Sequence, residues 1–300
     1  MPSLSSSSSS SISTPSFHVA AGAPIRTVAF QGELGAFSHM AIKQLLGPNV
    51  EPRPFPMFEK VFKAVASGKV DAAMIPVENT LHGSVHENYD HLLKYDLPIV
   101  AETAVRIVHN LIVLPGVRFK AVKRVYSHPV ALNQCLNFFA AHPQLEKTTF
   151  YDTAGSIKML AETKPTDAAG IASALAAELY GCRILKRSIE DDHRNFTRFV
   201  LLRRKAAPPQ SRDHAKTSLL FTTRNVPGSL FRALSAFALR DISLAKIESR
   251  PLRGKPWEYL FYLDFYGHIE DAKVKNALSH LRELADLYRV LGCYTRGAGF

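Results

Sequence analysis

Short apolar runs alternate with amphipathic stretches over the first two hundred residues. The run 27–30 predicts a buried strand, and the Pro-rich segment 52–56 predicts a loop. Residues 58–65 then carry Phe or Val at i, i+3, i+4 and i+7, which is the spacing of a helix with one buried face, and Gly68 ends it. Residues 71–76 predict the next strand.

Strand–helix pairs follow at 124–126 and 129–141, at 148–151 and 152–161, and at 168–171 and 172–180. Pro129 suits the first turn of the first of these helices, and Asp152 or Thr153 can cap the second. This alternation predicts an α/β architecture whose sheets are largely parallel.

The pattern changes after a charged segment at 205–216, which contains Pro208-Pro209 and predicts a linker. Strands are predicted at 217–223, 242–249, 257–265 and 287–294, and helices at 227–239 and 271–285. This β-α-β-β-α-β order is that of a ferredoxin-like module. The predicted organisation is a disordered Ser-rich tail at 1–24, a larger domain at 25–204, the linker, and the small module at 217–296.

Composition narrows the class of protein. The chain has 300 residues, 46% of them apolar and 21% charged, which is typical of globular domains, and it lacks the ~18 consecutive apolar residues of a membrane span. The net charge of +11 permits a nucleic acid or a small anionic ligand as partner. Because the basic clusters at 203–205 and 250–255 are short and lack interleaved aromatic residues, a small ligand is favoured, with no nucleic-acid and no membrane partner.

The cysteines and the N-terminus indicate a reducing compartment. Cys135, Cys182 and Cys293 are odd in number and far apart, so they fit neither a disulfide framework nor a zinc site. Residues 1–16 are mostly Ser and lack the apolar segment of a secretion signal. The prediction is a cytoplasmic protein. A plastid location stays open, because transit peptides are also Ser-rich, although they are normally longer and contain Arg.

Two motifs resemble cofactor sites but lack essential parts. Gly32 and Gly35 form G-x-x-G without the Lys-Ser/Thr of a phosphate-binding loop. His86, Glu87 and His91 resemble the zinc motif H-E-x-x-H but are spaced one residue too far apart, so on a helix the two rings would face different directions. No metal and no cofactor are predicted.

Polar side chains cluster where predicted strands end or begin, at 78–80, 127–128, 152–153 and 195–199. Open α/β sheets bind ligands at the carboxyl ends of their strands. The hydroxyl, amide and guanidinium groups of these clusters suit a carboxylated ligand. Helix capping is the alternative explanation for each cluster taken alone.

These clusters resemble the motifs of the prephenate dehydratase family. Asn195-x-Thr197-Arg198-Phe199, with Asp191-Asp192 just upstream, is similar to the TRF signature of that family. Other similar segments are Gly32-x-x-Gly35-Ala36-Phe37, Pro76-Val77-Glu78-Asn79-Thr80, Ser127-His128-Pro129-x-Ala131-Leu132, Asp152-Thr153-Ala154, and Ala172-Ser173 through Tyr180-Gly181. The C-terminal module resembles the ACT domain of the family through Asn225-Val226-Pro227-Gly228-Ser229-Leu230 and Glu248-Ser249-Arg250-Pro251.

The resemblance spans residues 25–296 and implies both a fold and a reaction. The implied fold is α/β, with a bilobal, periplasmic-binding-protein-like catalytic domain followed by a ferredoxin-like βαββαβ ACT domain. The implied reaction is the decarboxylating dehydration of prephenate to phenylpyruvate in L-phenylalanine biosynthesis. It needs no cofactor, because formation of the aromatic ring drives it.

The resemblance also implies regulation and assembly. Phenylalanine would bind the ACT domain between two subunits of a homodimer or homotetramer and inhibit the enzyme. Two alternatives stay open, namely an arogenate dehydratase that forms L-phenylalanine directly and a non-catalytic amino-acid sensor. A transcriptional regulator is disfavoured because the sequence has no DNA-reading motif.

Residue roles follow from the same resemblance. Thr197 would be catalytic, donating a hydrogen bond to the leaving oxygen. The residues expected to bind substrate are Glu78, Asn79, Thr80, Ser127, His128, Asn195, Arg198 and Phe199. Those expected to bind phenylalanine are Asn225, Pro227, Gly228, Ser229, Leu230, Glu248, Ser249, Arg250 and Pro251. Val130 and His82 depart from the family, which usually has Gln and Gly there, so substrate contacts at these two loops are in doubt.

Overall fold

The computed structural model describes residues 24–252, 254–255 and 257–297. The predicted Ser-rich tail therefore lies outside the described residues, apart from residue 24. Among the described residues, no helix is both long enough and apolar enough to cross a membrane.

The strands are β1 (Thr27–Gln31), β2 (Glu51–Phe55), β3 (Ala72–Asn79), β4 (Gly83–Ser84), β5 (Ile99–Arg106), β6 (Asn110–Val113), β7 (Arg124–Ser127), β8 (Glu146–Thr149), β9 (Ala168–Ala172), β10 (Arg183–Lys186), β11 (Phe196–Arg203), β12 (Ala215–Thr223), β13 (Leu244–Pro251), β14 (Tyr259–Tyr266) and β15 (Leu287–Thr295). The α-helices are α1 (Phe37–Leu46), α2 (Phe58–Ala66), α3 (His86–Lys94), α4 (Pro129–Asn133), α5 (Leu136–Ala140), α6 (Thr153–Thr163), α7 (Ala174–Leu179), α8 (Ser229–Ala238) and α9 (Ala272–Leu284).

The strands form three sheets. The first has the order β2-β1-β3-β11-β5, with β4 paired to β3, and we call the part of the chain around it lobe 1. The second has the order β10-β6-β9-β7-β8 and forms lobe 2. The chain passes from lobe 1 to lobe 2 between β5 and β6, and it returns between β10 and β11. The bilobal α/β architecture expected from the sequence is therefore present.

The third sheet has the order β13-β14-β12-β15, and all of its pairs are antiparallel. The apolar faces of α8 and α9 cover it, through Ala233, Phe237, Val274 and Leu281. This is the predicted ferredoxin-like module. Its first strand begins at Ala215, inside the segment that was predicted as a linker.

The prediction of largely parallel sheets was wrong. β1 pairs in parallel with β2 and β3, but β11 is antiparallel to both of its neighbours, and β6 is antiparallel to β9 and β10. The physical reason is the double passage between the lobes. β3 ends beside the other lobe, whereas β11 returns from that lobe and begins there, so β11 runs in the opposite direction to β3.

Two local predictions also differ from the structure. The Pro-rich segment 52–56 was predicted as a loop, but β2 runs through it as an edge strand in which Pro52 and Pro54 lie opposite Val28 and Phe30. Proline is tolerated at an edge, where one side of the backbone needs no partner. The helix predicted at 129–141 is two short helices, α4 and α5, interrupted at Gln134.

The lobes touch on one side of the space between them. Gly35 has φ of +91°, and a Cβ there would lie 2.6 Å from the Cα of Ala176 in lobe 2. The Ser173 hydroxyl donates to the Gly35 carbonyl at 2.6 Å. Gly32, with φ of +111°, faces the Asp152 carboxylate in the same way. The G-x-x-G segment is therefore a turn that lets the lobes approach closely, which only glycine permits at these two positions.

Candidate active site

A cleft of about 390 Å³ separates the lobes, and it contains Thr197. Lobe 1 contributes the ends of β1 and β3 and the starts of β11 and α1, and lobe 2 contributes the starts of α4 and α6. The described residues that line it are Gln31, Ala36, Phe37, Ser38, Phe58, Pro76, Asn79, His82, Val85, Ile107, His109, His128, Val130, Ala131, Gln134, Asp152, Thr153, Thr197 and Phe199.

Thr197 sits on an interior strand of the lobe 1 sheet. β11 lies between β3 and β5, and Thr197 is directly opposite Asn79 on β3. The Asn79 side-chain amide donates to the Thr197 hydroxyl, with 2.9 Å between Nδ2 and Oγ1. Thr197 is only 9% exposed, and its remaining exposure faces the cleft.

The orientation of the Asn79 amide is fixed by its other contacts. Its Oδ1 accepts hydrogen bonds from the backbone N–H groups of Leu81 and His82, both at 3.0 Å. The Nδ2 group must therefore face Thr197 and Asn195, whose Oδ1 accepts from it at 2.7 Å. Because the Thr197 oxygen already accepts a hydrogen bond and its proton has no acceptor among the described residues, that proton is available to a ligand.

Asn195 and Thr80 hold the ends of the two strands together. Asn195 is fully buried, and its Nδ2 has no partner among the described residues. The Thr80 hydroxyl donates to the Arg194 carbonyl at 2.7 Å and accepts from the Phe196 N–H at 3.0 Å. Thr80 is absent from the cleft wall. Asn195 thus supports Asn79 directly, and Thr80 shapes the turn that precedes β11.

Lobe 2 supplies a histidine and a carboxylate. His128 precedes α4, its Nδ1 accepts from the Val130 N–H at 3.3 Å, and burial lowers the pKa of its imidazole. Asp152 caps α6 by accepting from the Gly155 N–H at 2.7 Å, as the sequence predicted, and burial raises the pKa of its carboxyl. Ser127 is buried outside the cleft wall, and its hydroxyl donates to the Ile171 carbonyl at 2.6 Å.

A hydrogen-bonded row of side chains that sequence reasoning missed crosses the cleft. Gln134 of lobe 2 contacts His82 of lobe 1 at 3.2 Å through Nε2, and its Oε1 contacts Nε2 of His109 at 2.7 Å. His109 lies where the chain first passes between the lobes and is 2% exposed, and its Nδ1 has no hydrogen-bond partner within the described part of the chain. Burial lowers the pKa of His109.

Besides Thr80, Ser127 and Asn195, two more of the expected substrate ligands are absent from the cleft wall. The Arg198 side chain leaves β11 on the face opposite Thr197 and is buried against the C-terminal module. Glu78 likewise points away from the cleft, and its carboxylate forms an ion pair with Lys246 on β13 at 3.0 Å. Alternation along a strand explains both corrections, since each of these residues is adjacent to one that faces the cleft. Phe199, two positions after Thr197, does line it.

The residues expected to bind phenylalanine meet at one end of the third sheet. Thr223 and Pro251 both lie opposite Tyr259, so the loop before α8 and the end of β13 lie at the same end of the sheet, on either side of β14. Asn225, Pro227 and Gly228 are exposed, and Gly228 precedes α8 with φ of +77°.

The side chains at the end of β13 point alternately to the two faces of the sheet. Ser249 and Pro251 are exposed, whereas Glu248 and Arg250 face the catalytic part. Glu248 accepts a hydrogen bond from the Ser84 hydroxyl at 2.8 Å, and Arg250 forms an ion pair with Asp90 at 3.3 Å. Of this segment, only Ser249 and Pro251 therefore present side chains to an open surface.

Similarity to known proteins agrees with this geometry. A family model for prephenate dehydratase matches residues 28–207, and a model for the ACT domain matches residues 217–283. The arogenate dehydratase/prephenate dehydratase 2, chloroplastic, of Arabidopsis thaliana is 43% identical over 285 residues, which are 92% of this chain and 74% of the relative.

Two solved structures are also similar. The prephenate dehydratase of Arthrobacter aurescens, in complex with L-Phe, has a TM-score of 0.83 at 32% identity over 90% of each chain. A protein described as GqqA, a novel type of quorum quenching acylase, has a TM-score of 0.84 at 34% identity over 91% of this chain and 99% of that one.

Proposed function

The chain belongs to the prephenate dehydratase family and ends in an ACT domain, and on that premise we propose that it removes carbon dioxide and water together from prephenate or arogenate. Either substrate is a cyclohexadiene with a ring carboxylate, a 4-hydroxyl group and a side chain that ends in a carboxylate. Loss of the ring carboxylate as carbon dioxide moves electrons through the ring and expels the hydroxyl group, which takes up one proton from the solvent and leaves as water. The ring becomes aromatic, which supplies the driving force.

The observation that supports this reaction best is the Thr197 hydroxyl, which accepts from Asn79 and keeps its own proton for a ligand. A departing hydroxide needs a hydrogen-bond donor that is stronger in the transition state than in the ground state. A threonine hydroxyl is a weak acid, so we assign to Thr197 hydrogen-bond donation to the leaving oxygen. The hydrogen bond from Asn79 orients that donor and polarises it.

The charges of the cleft also suit a decarboxylation. Among the described residues that line it, none is Lys or Arg. A cation beside the ring carboxylate would stabilise the ground state more than the transition state, in which that charge is lost, and would slow the reaction.

We assign the side-chain carboxylate to the start of α1. Its capping residue, Ala36, supplies no side-chain acceptor, so the N–H groups of Phe37 and Ser38 at the cleft wall can hold the anion.

The proposed reaction has two possible substrates, prephenate and arogenate. Arogenate carries an ammonium group where prephenate carries a keto group, and the Arabidopsis relative is named for both activities. Turnover of the two compounds by the purified protein, without added metal or nucleotide, decides between them. Formation of phenylpyruvate identifies a prephenate dehydratase, and formation of L-phenylalanine identifies an arogenate dehydratase. A protein that converts neither compound would contradict the proposal and favour a non-catalytic sensor.

We further propose that L-phenylalanine binds the ACT domain and inhibits the enzyme. The support is the similar Arthrobacter structure, which is in complex with L-Phe, together with the matched ACT model. The exposed loop 225–228 and the exposed side chains of Ser249 and Pro251 suit a site completed by a second subunit of a homodimer or homotetramer. Light scattering during a phenylalanine titration would report binding and assembly together, and an unchanged profile with unchanged activity would refute the regulatory proposal.

The location of the protein is the remaining part of the proposal. The cytoplasmic prediction has no support among the relatives, several of which are named chloroplastic, and this favours the plastid alternative. A fusion of residues 1–26 to a fluorescent protein in leaf cells distinguishes the two, because only a transit peptide directs the fusion to plastids.

A further inference from the structure

A second buried polar cluster lies outside the cleft, between the catalytic part and the ACT domain. Arg198 of β11 donates from Nε to Glu102 of β5 at 2.8 Å and from a terminal nitrogen to Asp264 of β14 at 2.5 Å. Its other terminal nitrogen donates to the Tyr294 hydroxyl of β15 at 3.0 Å. One guanidinium group therefore contacts both domains of the chain.

Neighbouring side chains of the ACT sheet complete the cluster. The Lys216 ammonium donates to Glu102 at 3.0 Å, and the Ser218 hydroxyl contacts Asp264 at 2.5 Å and Tyr294 at 2.7 Å. The six residues of this group, which we call the interdomain cluster, are Glu102, Arg198, Lys216, Ser218, Asp264 and Tyr294. Each is less than 9% exposed, and the two cations balance the two carboxylates.

The pKa values of Arg198 and Asp264 are shifted so that both groups stay charged. Burial opposes the charge of Arg198, but Asp264 and Glu102 outweigh it and keep the pKa of the guanidinium well above its usual value. Burial likewise raises the pKa of Asp264, but Arg198 and Lys216 lower it by more. A buried charge whose partner is removed is strongly unfavourable, so the members depend on one another's position.

The backbones of the two domains also touch beside the cluster. β15 of the ACT domain lies against β5 of lobe 1, and a Cβ on Gly292 would overlap the Ile99 carbonyl. At Gly297 a Cβ would lie 2.7 Å from the Glu102 carbonyl oxygen. At Gly292 and Gly297 there is no room for a side chain, because the two backbones are in direct contact. Lobe 1 and the ACT sheet are therefore closely packed at these two positions.

Thr197 is the residue immediately before Arg198 on β11. Their side chains leave the strand on opposite faces, and the pairing of β11 with β3 shifts register just after Arg198. A displacement of the guanidinium by the ACT sheet therefore moves the peptide unit that carries Thr197, relative to Asn79 on the neighbouring strand.

We propose that Arg198 is a positioning residue through which the ACT domain sets the orientation of the Thr197 hydroxyl. This inference rests on the proposed dehydratase activity. It assigns to the Arg of the TRF segment a structural link between the domains, in place of the substrate contact expected from the sequence. It also places the route of regulation along β11, in addition to any change in the separation of the lobes.

The test compares Tyr294→Phe and Arg198→Gln with a matched control, Arg124→Gln, which removes a half-exposed ion pair with Asp167 in lobe 2. We expect Tyr294→Phe, which removes one hydroxyl group, to fold normally, to lower kcat about five-fold and to leave KM nearly unchanged. We expect Arg198→Gln to lower kcat about a hundred-fold. In Tyr294→Phe the phenylalanine concentration for half-inhibition should rise about five-fold. The control should match the wild type in all three quantities.

A general loss of structure would reduce the fraction of active enzyme and so also lower the apparent kcat at unchanged KM, but it would lower the melting temperature as well. An unchanged melting temperature, together with the raised phenylalanine concentration for half-inhibition, therefore distinguishes the inference from loss of structure. Wild-type kcat and wild-type phenylalanine response in Tyr294→Phe would overturn the inference, whether or not Arg198→Gln folds. A wild-type protein that converts neither prephenate nor arogenate would overturn the proposed function and the inference with it. An active wild type with an unaffected Tyr294→Phe variant overturns the inference alone.

Discussion

The side-chain amide of Asn79 and the hydroxyl of Thr197 face each other across two paired strands, and Asn79 donates a hydrogen bond to the Thr197 oxygen at 2.9 Å. The direction of this bond matters, because it leaves the hydroxyl proton of Thr197 available to a ligand in the cleft. The mechanism proposed for this chain depends on that proton.

Reversing the direction of this bond should abolish turnover. In Asn79→Asp the carboxylate still accepts from the backbone N–H groups of Leu81 and His82, but it accepts the Thr197 proton instead of donating to its oxygen. We expect kcat to fall about a thousand-fold in Asn79→Asp. In Asn79→Ala, which only removes the donor, we expect a loss in kcat that is about ten-fold smaller. Single-turnover kinetics would measure both. Equal losses in the two variants would show that the direction of the bond is irrelevant.

The row of His82, Gln134 and His109 should hold the lobes closed around substrate. Its contact between His82 and Gln134 joins lobe 1 to lobe 2 at 3.2 Å. His82→Gly restores the residue that the family usually has there, and loss of one hydrogen bond, worth about 1 kcal/mol, should raise KM about five-fold and leave kcat unchanged. His280→Ala on α9, remote from the cleft, is the control. An unchanged KM would mean that the contact does not contribute to substrate binding.

The buried carboxyl of Asp152 should make stability depend on pH. Burial raises its pKa in the folded state above the unfolded value. Its contribution to folding is therefore fully present below the unfolded pKa and is lost as the pH rises through the folded pKa. Asp152→Asn keeps the cap of α6 and removes the titration.

The melting temperature of Asp152→Asn relative to the wild type should therefore rise as the pH increases from about 4 towards neutrality. Parallel melting curves for the two proteins across this range would contradict the assignment of a raised pKa to Asp152.

The turn at Gly35 should tolerate no side chain. Gly35→Ala adds a methyl group 2.6 Å from the Ala176 Cα and places a residue other than glycine at φ of +91°. Gly47→Ala is a matched control, because Gly47 has a similar φ of +80° but open space around its Cα. We expect the control to cost about 1 kcal/mol and Gly35→Ala about 3 kcal/mol in the free energy of unfolding. Urea titrations would measure both, and equal losses would exclude the contact between the lobes as the cause.

Periodicity predicted much of the fold because most helices bury one face and most strands are apolar. The helix at 58–65 is an example, since Val61, Phe62 and Val65 are completely buried. β2 was missed because an edge strand with alternating prolines has the local composition of a loop. The break between the two helices at Gln134 was missed because the Gln134 side chain contacts His82 and His109. Both histidines are distant in sequence, so the local pattern does not indicate the break.

The sequence predicted only part of the candidate site, because the remaining contacts join residues that are distant in sequence. The motif that contains Thr197 indicated the right strand and, through its neighbours, Asn79 and Asn195. It did not indicate which face of β11 borders the cleft, and Arg198 was therefore assigned to substrate although it faces the ACT domain. The position of His109 offered one signal, a polar pair, His109-Asn110, at the start of an otherwise apolar run. Such a pair in a buried strand needs partners that only the fold supplies.

Replacement of the Thr197 hydroxyl tests the central claim most directly. Thr197→Val has the same shape and lacks the donor, whereas Thr197→Ser keeps the donor. With prephenate and arogenate as substrates, we expect Thr197→Val to lose about a thousand-fold in kcat at unchanged melting temperature, and Thr197→Ser to stay within about ten-fold of the wild type. Wild-type turnover by Thr197→Val would show that the Thr197 hydroxyl does not assist departure of the leaving oxygen.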